Sequence, residues 1–439
     1  MSAMRNDTDS ATALSVAEIV ARRDHLLGKG TTLFYDPPLH LVRGEGAFVW
    51  GADGRRYVDM YNNIPVVGHC NPRVVDALAR QARTHNTHSR YLDEVILDYA
   101  ERLLALHAEQ IESVVFTCTG TEANEVAMQA ARMATGGRGF ICTTGAYHGH
   151  SDLVGALTDA PPRGRANVNA FAIPDPYRPP APGLSPDELC DAFLADVKAA
   201  IDDFATTGVP FAGMLVCSIL ANEGLPDIPP GFMGEAAALV REAGGVVILD
   251  EVQAGFCRTG SWWGYQVTDI EPDIVTMGKP IGNGLPLGAC AARRDLIERF
   301  RAETGYFNTF SSTAVHGAVG MAVLDELEER DIAAHVRDVG AHLLRGVEAI
   351  APSCEHIGDV RGRGLFVGVE WVVDRESRTP DSAGAFAVCN ALRDRGFLVA
   401  PAGPHHNQVK IRPPLVFDRD QADAFLEAFA DVAVAVRAA

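Results

Sequence analysis

The chain has 439 residues, 47% of them apolar, and its 38 basic residues against 57 acidic ones leave a formal net charge of −19. That length and apolar content favour two closely packed domains around substantial cores, and that charge would repel a polyphosphate backbone, so nucleic acid is excluded as a natural partner. No apolar run approaches the ~18 residues of a membrane span, which excludes the membrane as well.

In chain order, the opening "MSAMRNDTDSATALSVAEIV" carries acidic residues where a signal peptide would carry basic ones, so a soluble cytoplasmic protein is expected. "SVAEIVARRDHLL" has apolar residues at helical spacing, and "GAFVWGADGRRYVDM" reads as strand, Asp-Gly turn, strand. From about residue 75 helical segments such as "NPRVVDALARQAR" and "LDYAERLLALHA" alternate with short apolar runs: "SVVFTC", "GFICTT", "GMLVCSI", "GVVILD" and "DIVTM". This alternation predicts an α/β domain with a mostly parallel sheet and crossover helices. The proline-rich "APPRGRANVNAFAIPDPYRPPAPGLSPDE" is expected to be a surface or active-site loop, because prolines do not suit a central strand. After a long helical stretch containing "GMAVLDELEERD", strands are predicted at "GLFVGVEWVV", "GFLVA" and "QVKIRPPLVF", with a closing helix at "QADAFLEAFADVAVAV". The expected division is a small α+β domain built from both chain ends, residues 1–75 and 319–439, around a large domain at 76–318.

The nine cysteines, at 70, 118, 142, 190, 217, 257, 290, 354 and 389, are scattered with no CxxC pair and read as reduced, buried small residues. "YHGHS" and "GPHHN" lack acidic or cysteine partners at ligand spacing, so no metal is expected.

Ligands of an open parallel sheet lie beyond the carboxyl ends of its strands. There the chain places Asp250 and Glu251 after "GVVIL", Lys279 after "DIVTMG", a Gly120-Thr121 step opening a helix after "SVVFTCT", and Tyr147 and His148 after "GFICTTGA". Gly120 and Thr121 have the ingredients of an anion site at the positive end of a helix, although a threonine there is also an ordinary cap. There is no GxxxxGK[ST], and "GNGLPLG" and "GRGLFVG" miss the dinucleotide spacing. Asp250 is either a helix cap or ion-pair partner, or a carboxylate facing the ring nitrogen of a bound pyridinium. Lys279 in "VTMGKPIGNGLP" is a solvated loop lysine, a phosphate-binding cation, or an amine that forms a Schiff base after losing its proton from a reference pKa of ~10.4. Together with Tyr147, these residues make a parts list for pyridoxal 5'-phosphate.

The blocks "TGTEANEVAMQAAR", "YHGH", "ILDEVQAGFCRTG", "PDIVTMGKPIGNGLPLGA", "NTF", "VRGRGLFVGVEW" and "KIRPPLVF" resemble those of class III aminotransferases, fold type I pyridoxal-phosphate enzymes, from about residue 40 to the C-terminus. The resemblance implies that Lys279 anchors the cofactor and moves the proton at the substrate's Cα. Asp250 would face the pyridine nitrogen, with Gln253 on the phenolic oxygen, Gly120 and Thr121 on the phosphate, and Tyr147 stacked on the ring beside His148. Thr309 of "NTF" would reach the phosphate of a neighbouring subunit, which implies a homodimer with shared sites. Arg412 would grip a substrate α-carboxylate as a bidentate guanidinium, and Glu223 would pair with it when no carboxylate is bound. Two positions depart from the family pattern: Ser218-Ile219 replaces "EP", and Ser311-Ser312 replaces a pair of glycines after "NTF".

The resemblance implies an aminotransferase that passes an amino group from an amine or amino acid to a small 2-oxo acid by ping-pong chemistry. "MGKP", "NNIPVVGHCNP", "NTHSRYL" and "GPHHNQVKIRPPL" resemble the branch that holds alanine-glyoxylate aminotransferase-like proteins and phospho-lyases. The alternative is therefore a phospho-lyase that splits an O-phosphorylated amine into aldehyde, ammonia and phosphate, with Arg90 on the substrate's anionic group or in a surface salt bridge. A non-catalytic binding protein of the same fold is disfavoured because Lys279 and Asp250 are both present.

Overall fold

Short polar residues open most of the helices, where each takes up a backbone amide that the first turn leaves unpaired. The computed structural model describes residues 14–161 and 167–436. Ser15 caps α1 (Val16–Leu27) with a capping box to Glu18. An antiparallel meander follows, β1 (Leu41–Glu45), β2 (Phe48–Gly51) and β3 (Arg56–Asp59), with the Asp-Gly turn at Gly54 in the left-handed region at φ 82°. Asn71 and Asp93 then cap α2 (Pro72–Thr84) and α3 (Glu94–Leu104).

The large sheet contains β4 (Ser113–Thr117), β5 (Gly139–Thr143), β6 (Val168–Phe171), β7 (Phe211–Cys217), β8 (Val246–Asp250), β9 (Ile274–Met277) and β10 (Gly288–Ala292), in the order β4-β10-β9-β8-β7-β5-β6. The strands from β5 to β9 run parallel, and β10 lies antiparallel between β4 and β9. Helices α4 (Gly120–Thr135), the short α5 (Asp152–Gly155), α6 (Pro186–Thr207), α7 (Phe232–Glu242) and α8 (Arg294–Thr304) complete this part of the chain. The central strand β8, "VVILD", is buried throughout, as a parallel strand covered on both faces must be. Val247 and Leu249 enter one apolar cluster and Ile248 another, so the two-residue period of the strand divides the core between the faces of the sheet.

After α9 (Ala314–Glu329) and α10 (Ile332–Ile350) come β11 (Ile357–Gly362), β12 (Val367–Trp371), α11 (Ser382–Asp394), β13 (Phe397–Leu398), β14 (Ala400–Ala402), β15 (Gln408–Ile411) and α12 (Arg419–Ala435). Strands β11, β12, β15 and β14 form an antiparallel sheet, while β13 pairs in parallel with β3, Phe397 opposite Val58. Segments from both ends of the chain therefore share one sheet.

The structure corrects the loop expected over the proline-rich segment. Its "VNAF" is strand β6, and the segment closes with Ser185 capping α6; residues 162–166 lie outside the described residues. Strand β6 holds the sheet edge, so the prolines around it interrupt no central ladder. Strands β10, "GACAA", and β11, "IGDVRG", carry no strong β signal in their sequences, and pairing with more apolar neighbours makes them strands. Among the described residues no helix is long and apolar enough to cross a membrane.

Candidate functional site

The parallel pairing of β8 and β9 sets Asp250 opposite Thr276, so both strand ends open on the same side. Gly278 continues β9, and a Cβ there would come within 3.1 Å of the backbone of Gly120, which places the next residue, Lys279, close to the start of α4. Lys279 itself sits at φ 40°, a left-handed conformation that costs a side-chain-bearing residue roughly 1–2 kcal/mol. The rest of the fold holds that strain at the mouth of a cavity lined also by Gly120, Thr121, Tyr147, His148, Asn222, Asp250 and Gln253.

Asp250 is 6% exposed and fully engaged. The side chain of Asn124 donates to its Oδ2 at 3.0 Å, His148 Nδ1 donates to the same oxygen at 2.8 Å, and the Val252 amide donates to Oδ1 at 3.0 Å. Asn124 in turn accepts from the Thr276 hydroxyl at 2.6 Å and donates to the His148 carbonyl at 2.8 Å. Burial works to raise the Asp250 pKa, but these donors outweigh it and hold the carboxyl below the usual carboxylate range. Its neighbour Glu251 turns to the other side of the strand, where it accepts from the amides of Gly264 and Tyr265 at 2.8 and 2.9 Å. Burial pushes Glu251 up to about 7, and its work is to anchor that turn.

The start of α4 is capped by Thr119, not Thr121. Thr119 Oγ1 accepts from the Glu122 amide at 3.1 Å, and Glu122 returns the bond to the Thr119 amide at 3.2 Å. The amides of Gly120 and Thr121 have no partner among the described residues and stand at the positive end of a sixteen-residue helix. Gly149 lets the adjoining loop approach, because a Cβ there would lie 2.4 Å from Thr121 Oγ1.

Burial, reinforced by nearby Arg412, draws the Lys279 amine below its ordinary range, while Asp250 pulls it back. Arg412 is buried, donates from Nε to the Tyr61 carbonyl at 3.0 Å, and donates from Nη1 to Gln253 Oε1. Gln253 passes the contact on, donating from Nε2 to Asn222 Oδ1 at 2.9 Å. Glu223 does not pair with Arg412 as expected. Its carboxylate accepts from the Thr143 hydroxyl and, at 3.0 Å, from the Asn222 amide, and burial raises its pKa. A larger cavity, about 310 Å³, lies by Leu225, Met233, Asp227 and Arg363, but no lysine lines it. Among the described residues no cluster of His, Cys, Asp and Glu is fit to hold a metal.

Comparison with known proteins decides what this geometry belongs to. The model of the class-III aminotransferase family matches residues 34–433. The chain belongs to this family. It is 35% identical to alanine-glyoxylate aminotransferase 2 homolog 2, mitochondrial, of Arabidopsis thaliana, covering 95% of this chain and 87% of that one. It is 32% identical to ethanolamine-phosphate phospho-lyase homolog 1 of Caenorhabditis elegans, covering 92% and 91%. Among solved structures, a phospholyase from Arthrobacter in complex with phosphoethanolamine is 39% identical, with a TM-score of 0.91 over 94% of this chain and 99% of that one.

Class III aminotransferases depend on pyridoxal 5'-phosphate, and the residues present fit it. A Cβ on Gly120 would lie 2.9 Å from Val252, so glycine keeps the cradle open, and Asp250 reaches the cavity with its charge held by His148, Asn124 and the Val252 amide. Of the other expected residues, Tyr147 is 42% exposed at the cavity wall. Arg90 and Thr309 are exposed and outside this cavity; the Arg90 guanidinium packs over the Phe307 ring at 4.2 Å and makes no salt bridge among the described residues. Ser312 adopts φ 56°, a left-handed conformation that a glycine would take without a side-chain penalty. Three contributors escape a motif-by-motif reading: Asn124, Asn222 and Lys410. Asn124 lies one turn into the helix that Gly120 opens, and Lys410 stands two residues before Arg412, against the same Phe366 ring.

Proposed function

We propose that this class III enzyme is an aminotransferase that carries an amino group from an amine or amino acid to a small 2-oxo acid. The observation that carries the reading is Arg412, a buried guanidinium with no carboxylate partner among the described residues, bonded to a glutamine that lines the Lys279 cavity. A 2-oxo acid supplies the missing carboxylate in the geometry a guanidinium matches best.

When bound, pyridoxal 5'-phosphate supplies a carbonyl carbon that condenses with amines and a ring that withdraws electrons from them. Gly120 and Thr121 would receive its phosphate with two free amides, and Tyr147 would cover the face of its ring. Asp250, kept ionised by His148, Asn124 and the Val252 amide, would hold a proton on the ring nitrogen. Lys279, whose proton is loosened by burial, accepts the proton from the substrate's Cα and returns it on the other side of the transfer. Gln253, which lines the cavity, accepts from Arg412 and would hold its guanidinium in place.

The assembly we propose is a homodimer. Support comes from Arg90 and Thr309, which lie outside their own chain's cavity, beside strongly exposed apolar side chains: Leu92, fully exposed, and Phe310 at 74%. Nine free thiols fit a reducing compartment, for which we propose the cytoplasm.

A phospho-lyase acting on an O-phosphorylated amine is the second reading, favoured by the phosphoethanolamine in the Arthrobacter relative. The same proton removal serves both reactions; only a leaving group at Cβ separates them. With the holoenzyme and no 2-oxo acid, L-alanine should bleach the cofactor band once and pyruvate or 2-oxoglutarate should restore it. Steady release of phosphate and ammonia from O-phosphoethanolamine would instead establish the lyase.

A further inference from the structure

Arg412 has a companion. Lys410 stands on β15 and Arg412 is the first residue beyond that strand, and both are buried, at 4% and 5% exposure. They flank one ring: the Lys410 ammonium lies 5.7 Å and the Arg412 guanidinium carbon 5.4 Å from the centre of Phe366. Lys410 Nζ donates at 2.8 Å to the carbonyl of Ala221, the residue before the cavity-lining Asn222, and makes no other hydrogen bond and no ion pair among the described residues. An ammonium has three donors, so most of its capacity is unspent.

A lysine buried for structural reasons is expected to have a carboxylate partner, because an unpaired charge in the interior is costly. Glu223 is the nearest candidate, but it is occupied by Thr143 and Asn222, and burial favours its neutral form. The loop carrying Ala221 is pressed onto β15: a Cβ on Gly224 would lie 2.0 Å from the Gln408 amide, and Arg361 Nε donates to the Gly224 carbonyl at 2.9 Å. Lys410 is thus held beside the substrate cavity with its charge uncompensated.

We propose that Lys410 and Arg412 form a two-cation site that selects a substrate bearing two negative charges at its anionic end, either a phosphate monoester or a pair of carboxylates, over one bearing a single carboxylate. This rests on the reading that Arg412 holds the substrate's anionic group. Burial first, and then the Arg412 and Lys279 charges, bring the Lys410 amine down to about 7, while Glu223 and Cys217 pull it upward; an arriving dianion would restore its proton.

The test uses non-reacting anions and the holoenzyme, with dissociation constants read by calorimetry. Inorganic phosphate and succinate represent the doubly charged classes, and acetate the singly charged one. Lys410→Gln keeps a donor for Ala221 and removes the charge; it should lower the ratio of dianion to acetate affinity at least tenfold, and Lys410→Arg should recover most of that ratio. Arg412→Leu should weaken both classes. Phosphate and succinate tell the two sources of double charge apart, since the natural one should respond more strongly to Lys410→Gln. An unchanged ratio in Lys410→Gln, or no recovery in a folded Lys410→Arg holoenzyme, overturns the proposal. Loss of alanine-pyruvate transfer in the unaltered enzyme, with the ratio still dependent on Lys410, would remove the aminotransferase reading and leave this site standing.

Discussion

The two ends of the site, one at Asp250 in the cavity and one at Arg412 behind Gln253, treat charge in opposite ways. At the Asp250 end a single buried carboxylate is met by three donors, from His148, Asn124 and Val252, and one of those donors is itself held by Thr276. At the Arg412 end, Lys410 and Arg412 are buried with only neutral oxygens for company. The first arrangement is complete within the chain and so holds one protonation state. The second is incomplete, and its missing charges must arrive with a ligand.

The contrast breaks most severely at Lys279, which serves both ends. Lys279→Ala should cut turnover by about 10⁴-fold, since both covalent attachment and proton transfer are lost. Single-turnover spectroscopy with added amine would check it, and near-normal turnover would contradict the assignment. Asp250→Asn tests the completed end, because the amide keeps the shape and removes the charge. A drop of about 10²- to 10³-fold in kcat is expected, with KM for the 2-oxo acid moving less, because Arg412 is untouched. A change confined to KM would place Asp250 on the substrate and dissolve the contrast.

The smallest effect is on stability. The unfolded chain keeps a proton on Lys410 up to ~10.4, whereas the folded chain releases it near 7. Between those values the folded state binds fewer protons, so the stability of the unaltered protein rises with pH there. Lys410→Gln removes that dependence. The variant should therefore be the more stable of the two near pH 7, with an advantage that shrinks by at most ~1.4 kcal/mol per pH unit as the pH rises toward 10. Melting of both proteins at pH 7, 8 and 9 would show it, and a difference independent of pH would mean that folded Lys410 keeps its proton throughout that range.

Much of the completed end is legible in the sequence. Strand ends in a parallel sheet announce themselves through apolar runs, so Asp250, Lys279, Gly120 and Tyr147 follow from local pattern. The partners of Asp250 do not, because Asn124 looks like any polar residue in a helix until the register of β9 brings Thr276 beside it. Strand β10 is hidden for a related reason: "GACAA" becomes a strand only when β4 and β9 are in place on either side. Lys410 is the instructive omission. Its spacing from Arg412 is plain in "VKIRPP", but its lack of a counter-ion is a property of the folded interior.

The antiparallel sheet that carries Lys410 and leads directly into Arg412 is separate from the mostly parallel one whose strands end in Asp250 and Met277. For an engineer that separation divides the enzyme into a fixed tool holder and an exchangeable jaw. Lys410 on β15, Arg412 just beyond it and Phe366 between them can be varied as a library to change which anions are accepted, while the strands that grip the cofactor stay as they are.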